Sequence, residues 1–281
     1  MTSPARRHLE RVSAAIAANA AGAALMAGFA PAIDDANPAA NQYRVLLASL
    51  HDDIRHISDI HSHDSRKPVK LEKADTYRPW VDGALTAGLK GAATQDEIVA
   101  EMLVWAVDFA DYDWALEIAN HMLAHGVRMP ERFPSASVAA FITAKLAEAA
   151  LSATGDVAHA VLLLVDQLVD GQDMHDEKRA LLCKALARSF AKEAEAFDAA
   201  ADNAVAGGKA GLTAAALDYA QKALTLNKNA GVKKDIEQLE RKLTELGGRP
   251  PVETPAPDPE TEQRPDAETV EAQGADAAAT G

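Results

Sequence analysis

The spacing of apolar residues predicts helices along most of this chain. In residues 94–129, apolar positions recur at steps of three and four in two consecutive blocks. Steps of this size place apolar side chains on one face of a helix. The stretch therefore predicts a helical hairpin. Thr94 with Glu97 three residues later has the pattern of a capping box at its start, and Gly126 followed by Pro130 marks its end.

Two later segments begin like the second helix of this hairpin. Residues 110–116 are echoed at 155–161 and at 211–217, and each echo has a helix-breaking residue followed by small residues. The last of these three segments, which begins at residue 211, resembles a tetratricopeptide unit. Gly207, Gly208 and Gly211 are expected to interrupt the helical pattern. The intervals between echoes are unequal, so the pattern predicts an irregular array of hairpins.

These patterns together predict an all-α fold in three regions. Residues 1–78 form an N-terminal helical, partly basic region, and residues 79–248 form a tetratricopeptide-like core of helical hairpins. Residues 249–281 contain proline, acidic residues, threonine and alanine with almost no large apolar residue, which predicts a disordered acidic tail. The last apolar pattern, around Ile236, Leu239 and Leu243, fits either a capping helix of the array or a coiled-coil seam for self-association.

Composition restricts where a nucleic acid could bind. The chain has 28 Lys and Arg against 42 Asp and Glu, a net charge of −14. An acidic protein is repelled by nucleic acid and by anionic membranes unless its basic residues are segregated. Here the basic residues are partly segregated toward residues 1–78.

The single cysteine, Cys183, excludes a disulfide within the chain and suits a reducing cytoplasm. No apolar stretch is long enough to predict a membrane span.

The N-terminus carries Arg6, Arg7 and Arg11 within about two helical turns. Three interpretations remain open. The arginines could form a phosphate-binding arm, a solvated helix end, or the charged start of a signal peptide. The apolar stretch that follows is mostly alanine and is interrupted by Asn19, which disfavours the signal peptide.

Residues 42–63 have helical spacing and many polar side chains. His56, Asp59 and His63 would share one face of a continuous helix, which makes them candidate metal ligands. A solvated face of a long exposed helix explains the same pattern. Five basic side chains in and after this stretch are candidate DNA contacts, namely Arg55, Arg66, Lys67, Lys70 and Lys73.

The same region holds the candidate catalytic carboxylates Asp53, Asp59, Asp64 and Glu72. They are the acidic cluster nearest to basic residues. If this chain is a nuclease, these side chains would hold divalent ions such as Mg²⁺. Cleavage with two ions requires carboxylates that converge on both, and one helix rarely provides them alone.

Several segments resemble one protein family. The opening MTSPARRHLERVSAA, the Pro79-Trp80-Val81 triplet, the block from Gln95 through WALEIANHMLAHGVRMPERF, and the closing ALDYAQKALTLNKNAGVKKDIEQLERKL carry the likeness. The chain resembles the small terminase subunit of cos-cutting, contractile-tailed phages, which is often described as the terminase endonuclease subunit. The acidic tail departs from the basic tail that is common in the family.

The resemblance implies a role in DNA packaging in the host cytoplasm. It implies that the chain binds double-stranded phage DNA at the packaging site, associates with the large ATPase subunit, and takes part in cutting the genome and loading it into proheads. A homo-oligomer is also expected. The alternative function is a soluble tetratricopeptide-like adaptor that binds a protein ligand and has neither DNA-binding nor catalytic activity.

Overall fold

The described part of the chain is entirely helical. The computed structural model describes residues 38–91, 93–133, 137–153, 155, 157–198 and 208–247, and within them there are nine α-helices and no strand. The helices are α1 (Pro38–Ser58), α2 (His63–Gly88), α3 (Glu97–Asp108), α4 (Tyr112–His125), α5 (Val138–Leu151), α6 (His159–Leu168), α7 (Asp176–Ala196), α8 (Gly208–Leu226) and α9 (Lys233–Glu245). The expected all-α class is therefore confirmed for these residues.

Helices α3 and α4 form the hairpin that the apolar spacing predicts. Gly126 ends α4 in the left-handed conformation, with φ of 65°, as expected for a glycine at this position. The predicted capping box is wrong. Asp96, not Thr94, caps α3, because its carboxylate accepts hydrogen bonds from the backbone N–H groups of Ile98 (2.9 Å) and Val99 (3.1 Å).

The helix predicted over residues 42–63 is interrupted. Helix α1 ends at Ser58, and α2 begins at His63 with Ser62 as its N-cap. The break is stabilised from α2, since the Arg66 guanidinium donates to the carbonyl oxygens of Ile60 (2.6 Å) and Ser58 (3.1 Å). These bonds satisfy carbonyl groups that the end of a helix leaves without partners.

Consecutive helices pack on one another. Each helix from α1 to α5 also contacts the second helix after it, and the last of these contacts joins α5 to α7. The main core runs from α1 to α7, and Trp80 and Trp105 are almost completely buried in it. The Tyr77 ring meets the Trp105 ring edge-on, with ring centroids 6.1 Å apart. The burial predicted for Trp105 is confirmed. Helix α2 continues without a break past residue 78, where the sequence suggested a regional boundary.

Helices α7, α8 and α9 share a second apolar cluster. Leu239 and Leu243 of α9 pack against α8 residues that include Leu217. The apolar stripe of α9 is thus covered within the chain, which favours the capping-helix interpretation over the coiled-coil seam. The expected interruption at Gly211 is wrong, because Gly211 lies inside α8, whereas Gly208 is the first residue of that helix and Gly207 lies outside the described residues. None of the described helices combines the length and apolar character needed to cross a membrane.

Candidate nucleic-acid interface

A groove with a basic lining lies where the start of α2 meets the end of α3, the segment after α4, and α5. Its volume is about 290 Å³. Five Lys and Arg side chains line it together with His63, and Asp108 is the one carboxylate among the described lining residues. The basic residues are Arg66, Lys67, Lys70, Arg132 and Lys145. We call this surface the basic groove.

Two of the lining cations are held by carboxylates of α3. Arg132 forms a two-pronged ion pair with Glu101, whose side chain is only 2% exposed. Lys70, whose side chain is 14% exposed, donates to Asp108. Charge-assisted bonds of this kind fix both the position and the orientation of the cation. Arg132 and Lys70 are therefore held in place before any ligand arrives.

The other cations are less strongly neutralised. Within the described residues, Arg66 bonds only to backbone carbonyl groups, and no carboxylate there forms an ion pair with it. Lys67 and Lys145 are 54% and 47% exposed, and each pairs with a carboxylate three residues away on its own helix. Exposed pairs of this type contribute little free energy, so both ammonium groups can exchange their partner for an anion at small cost.

Two aromatic rings border the cations. Phe133 is half-buried and meets the buried Phe141 edge-on, with ring centroids 5.6 Å apart. The Arg132 guanidinium lies over the Phe133 ring, 4.9 Å from its centroid. The basic groove thus combines cations that are held in fixed positions with a half-buried aromatic ring.

The remaining basic residues that the sequence suggested lie outside the lining of this groove. Lys73 pairs with Asp53 at 2.9 Å, and this hydrogen bond raises the pKa of the Lys73 ammonium group. Arg55 pairs with Asp52 on the exposed side of α1. Arg6, Arg7 and Arg11 lie outside the described residues. Of the DNA contacts that the sequence suggested in α2, three lie together in the lining of the basic groove, namely Arg66, Lys67 and Lys70.

The suggested catalytic carboxylates have different surroundings. Asp53 is mostly buried and accepts hydrogen bonds from the Tyr77 hydroxyl (2.7 Å) and the Lys73 ammonium (2.9 Å). Burial, with smaller contributions from Asp53, raises the pKa of Tyr77. Asp53 therefore fastens α1 to α2. Asp59, Asp64 and Glu72 are exposed. Their catalytic assignment stays a prediction.

The geometric premise for the metal site is wrong. His56 belongs to α1, Asp59 lies after that helix ends, and His63 is the first residue of α2. They therefore do not share one continuous helical face. Across the described ranges, no three His, Cys, Asp or Glu side chains are grouped so that they could hold a metal ion.

Sequence reasoning missed Arg132 and Lys145. Arg132 lies in the segment after α4 and Lys145 in α5, far along the chain from the basic run in α2. Arg132 has only Arg128 near it in sequence, and Lys145 has no other Lys or Arg within twelve residues, so neither belongs to a basic run. Only the packing of α5 and the preceding segment beside α2 and α3 reveals that they belong to one surface.

Comparisons with known proteins agree with the resemblance noted in the sequence. The family model described as "Phage small terminase subunit" matches residues 47–177, a range that contains the whole basic groove. The chain is 36% identical over 246 residues to the "Terminase, endonuclease subunit" of Escherichia phage P2, and the alignment covers 86% of each chain. No solved structure matches. The chain belongs to the phage small terminase subunit family.

Proposed function

We propose that this chain is the DNA-binding subunit of a phage terminase. In this role it contacts phage DNA at the packaging site and acts with the large ATPase subunit when the genome is cut and loaded into proheads. Family membership supports the general role, and the similar phage P2 protein carries the name of an endonuclease subunit. The basic groove supplies the surface for DNA.

Five Lys and Arg side chains converge on one surface of this acidic protein, and this convergence supports DNA binding there. With a net charge of −14, the chain as a whole repels DNA, so contact must occur at a local positive surface. Fixed guanidinium and ammonium groups suit phosphate oxygens. Phosphate contacts position a protein on DNA without reading its sequence, so recognition of a particular site requires further contacts.

We further propose that cutting requires the assembled terminase. Asp53 already binds Tyr77 and Lys73, and Asp64 pairs with Lys67 on the surface of α2. These arrangements favour structural and solvent-exposed roles over a two-ion nuclease site in residues 53–72. Mg²⁺ would then act with carboxylates supplied elsewhere in the complex.

The stacking of the helices supports a tetratricopeptide-like function as an assembly platform. Contacts between each helix and its second neighbour are typical of such arrays, which present extended surfaces to protein partners. We propose that the large subunit and further copies of this chain bind to the faces of the array that the basic groove leaves free.

The proposal is tested with the purified chain, its large subunit and phage DNA. The Lys67→Ala/Lys145→Ala variant should weaken DNA binding and cutting by the complex together, because both depend on the same contacts. Lys192→Ala, an exposed lysine of α7 outside the groove, is the matched control. Asp64→Asn should leave cutting within a few-fold. An unmodified chain that shifts no DNA at low salt but binds a peptide partner would favour the adaptor alternative.

A further inference from the structure

The cations of the basic groove lie at two levels of exposure. Lys70 is mostly buried and Arg66 is partly buried, whereas Lys67 and Lys145 are about half exposed. A ligand that contacts all four cations must enter the groove, because contact at the edge reaches only the exposed lysines. The shape of the ligand therefore matters as well as its charge.

The volume of the groove limits what can enter. At about 290 Å³ it lies at the lower end of the range for small-molecule sites, which is roughly 300–1,000 Å³. A DNA duplex is a wide, stiff body whose bases are stacked inside, so it could reach only the outer lysines. An unpaired strand is narrow and flexible, and it can place a phosphate and its nucleotide beside Lys70 and Arg66.

The aromatic residues point to the same ligand. Phe133 is half-buried, and one face of its ring is covered by the Arg132 guanidinium. Basic grooves that carry aromatic rings are typical of proteins that bind single strands, where bases stack on the rings and cations follow the backbone. A paired base inside a duplex cannot make this contact.

On the basis of the proposed function, we infer that the basic groove binds an unpaired segment of DNA, such as the single-stranded end of a duplex. The inner cations, Lys70 and Arg66, contact its phosphates. Phe133 and Arg132 contact the exposed base. Lys67 and Lys145 hold the backbone on either side at the surface.

The inference is tested by fluorescence anisotropy on the full chain with three end-labelled probes. These are a single strand of about 16 nucleotides, a blunt duplex of the same sequence, and that duplex extended by an unpaired tail. The single strand and the tailed duplex should bind more tightly than the blunt duplex at equal salt, by roughly fivefold or more.

Two variants separate the aromatic contact from the ionic one. Phe133→Leu keeps apolar bulk but removes the ring, and it should weaken binding of the two unpaired probes roughly five- to tenfold while changing blunt-duplex binding little. Phe190→Leu, a half-buried ring of α7, is its control. Lys145→Ala should reduce the salt slope for the single strand by about 0.7, and Lys192→Ala should not.

The outcomes distinguish this inference from the proposed function. Equal or tighter binding of the blunt duplex, with no effect of Phe133→Leu on any probe, would overturn the inference and leave the DNA-binding role intact. No binding to any of the three probes would overturn both.

Discussion

The carboxylate of Glu101 lies almost fully buried in α3 and accepts two hydrogen bonds from the Arg132 guanidinium, one of them at 2.6 Å. A buried carboxylate is stable only with such a partner, because removal from water disfavours its charge. This ion pair joins α3 to the segment after α4. It also holds one cation of the basic groove in a fixed position.

Arg132→Ala should destabilise the fold by about 2 kcal/mol, because Glu101 would remain buried without its partner. The value is below the usual cost of breaking a buried pair, since Arg132 is partly exposed. Adding Glu101→Gln removes the buried charge and should recover part of the loss. Urea denaturation of the two single variants and the double variant measures the coupling. Strictly additive losses would show that the two side chains act independently.

Asp53→Ala should cost about 2 kcal/mol, because the Tyr77 hydroxyl and the Lys73 ammonium both lose their acceptor. Asp59→Ala is the control, since Asp59 is exposed and should change stability by less than about 0.5 kcal/mol. Denaturation of both variants is the measurement. If Asp53→Ala is as stable as the wild type, the contacts of Asp53 do not hold α1 against α2.

Two glycines in helices should respond to alanine in opposite ways. At Gly88, a Cβ atom would lie 2.5 Å from the His121 ring, so Gly88→Ala should destabilise the protein by about 1–3 kcal/mol. At Gly211, inside α8, a Cβ atom would meet no atom of the described residues within 4 Å. Gly211→Ala should therefore stabilise by about 0.5–1 kcal/mol. Thermal denaturation of both variants should show midpoints that move in opposite directions, and a lower midpoint for Gly211→Ala would argue against a continuous α8.

His121 should make stability depend on pH in the mildly acidic range. Its side chain is 8% exposed, and burial, followed by the nearby His125, lowers its pKa from 6.5 to about 4. The unfolded chain therefore binds a proton between these values that the folded chain does not. The stabilisation that comes from a neutral His121 in the folded protein is fully present above pH 6.5. It is lost as the pH falls toward about 4, and over this range the free energy of unfolding decreases by about 3 kcal/mol.

Replacing this histidine isolates its part of the acid sensitivity. His121→Leu removes the titrating group, so its stability should fall less than that of the wild type between about pH 7 and pH 4.5. The difference between the two proteins is the relevant quantity, because carboxylates titrate in both. Equal acid sensitivity would mean that His121 is protonated as easily in the folded protein as in the unfolded chain.

The sequence predicted those features that depend on local spacing. The hairpin of α3 and α4, the burial of Trp105 and the end of α4 at Gly126 all follow from short-range patterns. The position of the α3 cap did not, because Thr94 and Asp96 are both suitable capping residues. Asp96 also accepts a hydrogen bond from the Trp80 indole (2.8 Å), a contact with α2 that no local pattern reveals.

The sequence predicted only part of the candidate site, because contacts between distant segments leave no local pattern. Arg66, Lys67 and Lys70 form a basic run within one helix. Arg132 and Lys145 reach them only through the packing of separate segments. The assumption of a continuous helix over residues 42–63 also placed His56 and His63 on one face, whereas the turn held by Arg66 separates them.

The salt dependence of DNA affinity shows whether the cations of the basic groove bind DNA phosphates. Each neutralised phosphate adds about −0.7 (single strand) to −0.9 (duplex) to the slope of log K against log salt. With the tailed duplex, Lys67→Ala/Lys145→Ala should flatten the slope by roughly 1.4 to 1.8, while Lys192→Ala leaves it unchanged. Replacing Arg6, Arg7 and Arg11 together measures the separate contribution predicted for the N-terminus. A slope in the groove variant equal to that of the wild type would show that Lys67 and Lys145 do not bind DNA phosphates.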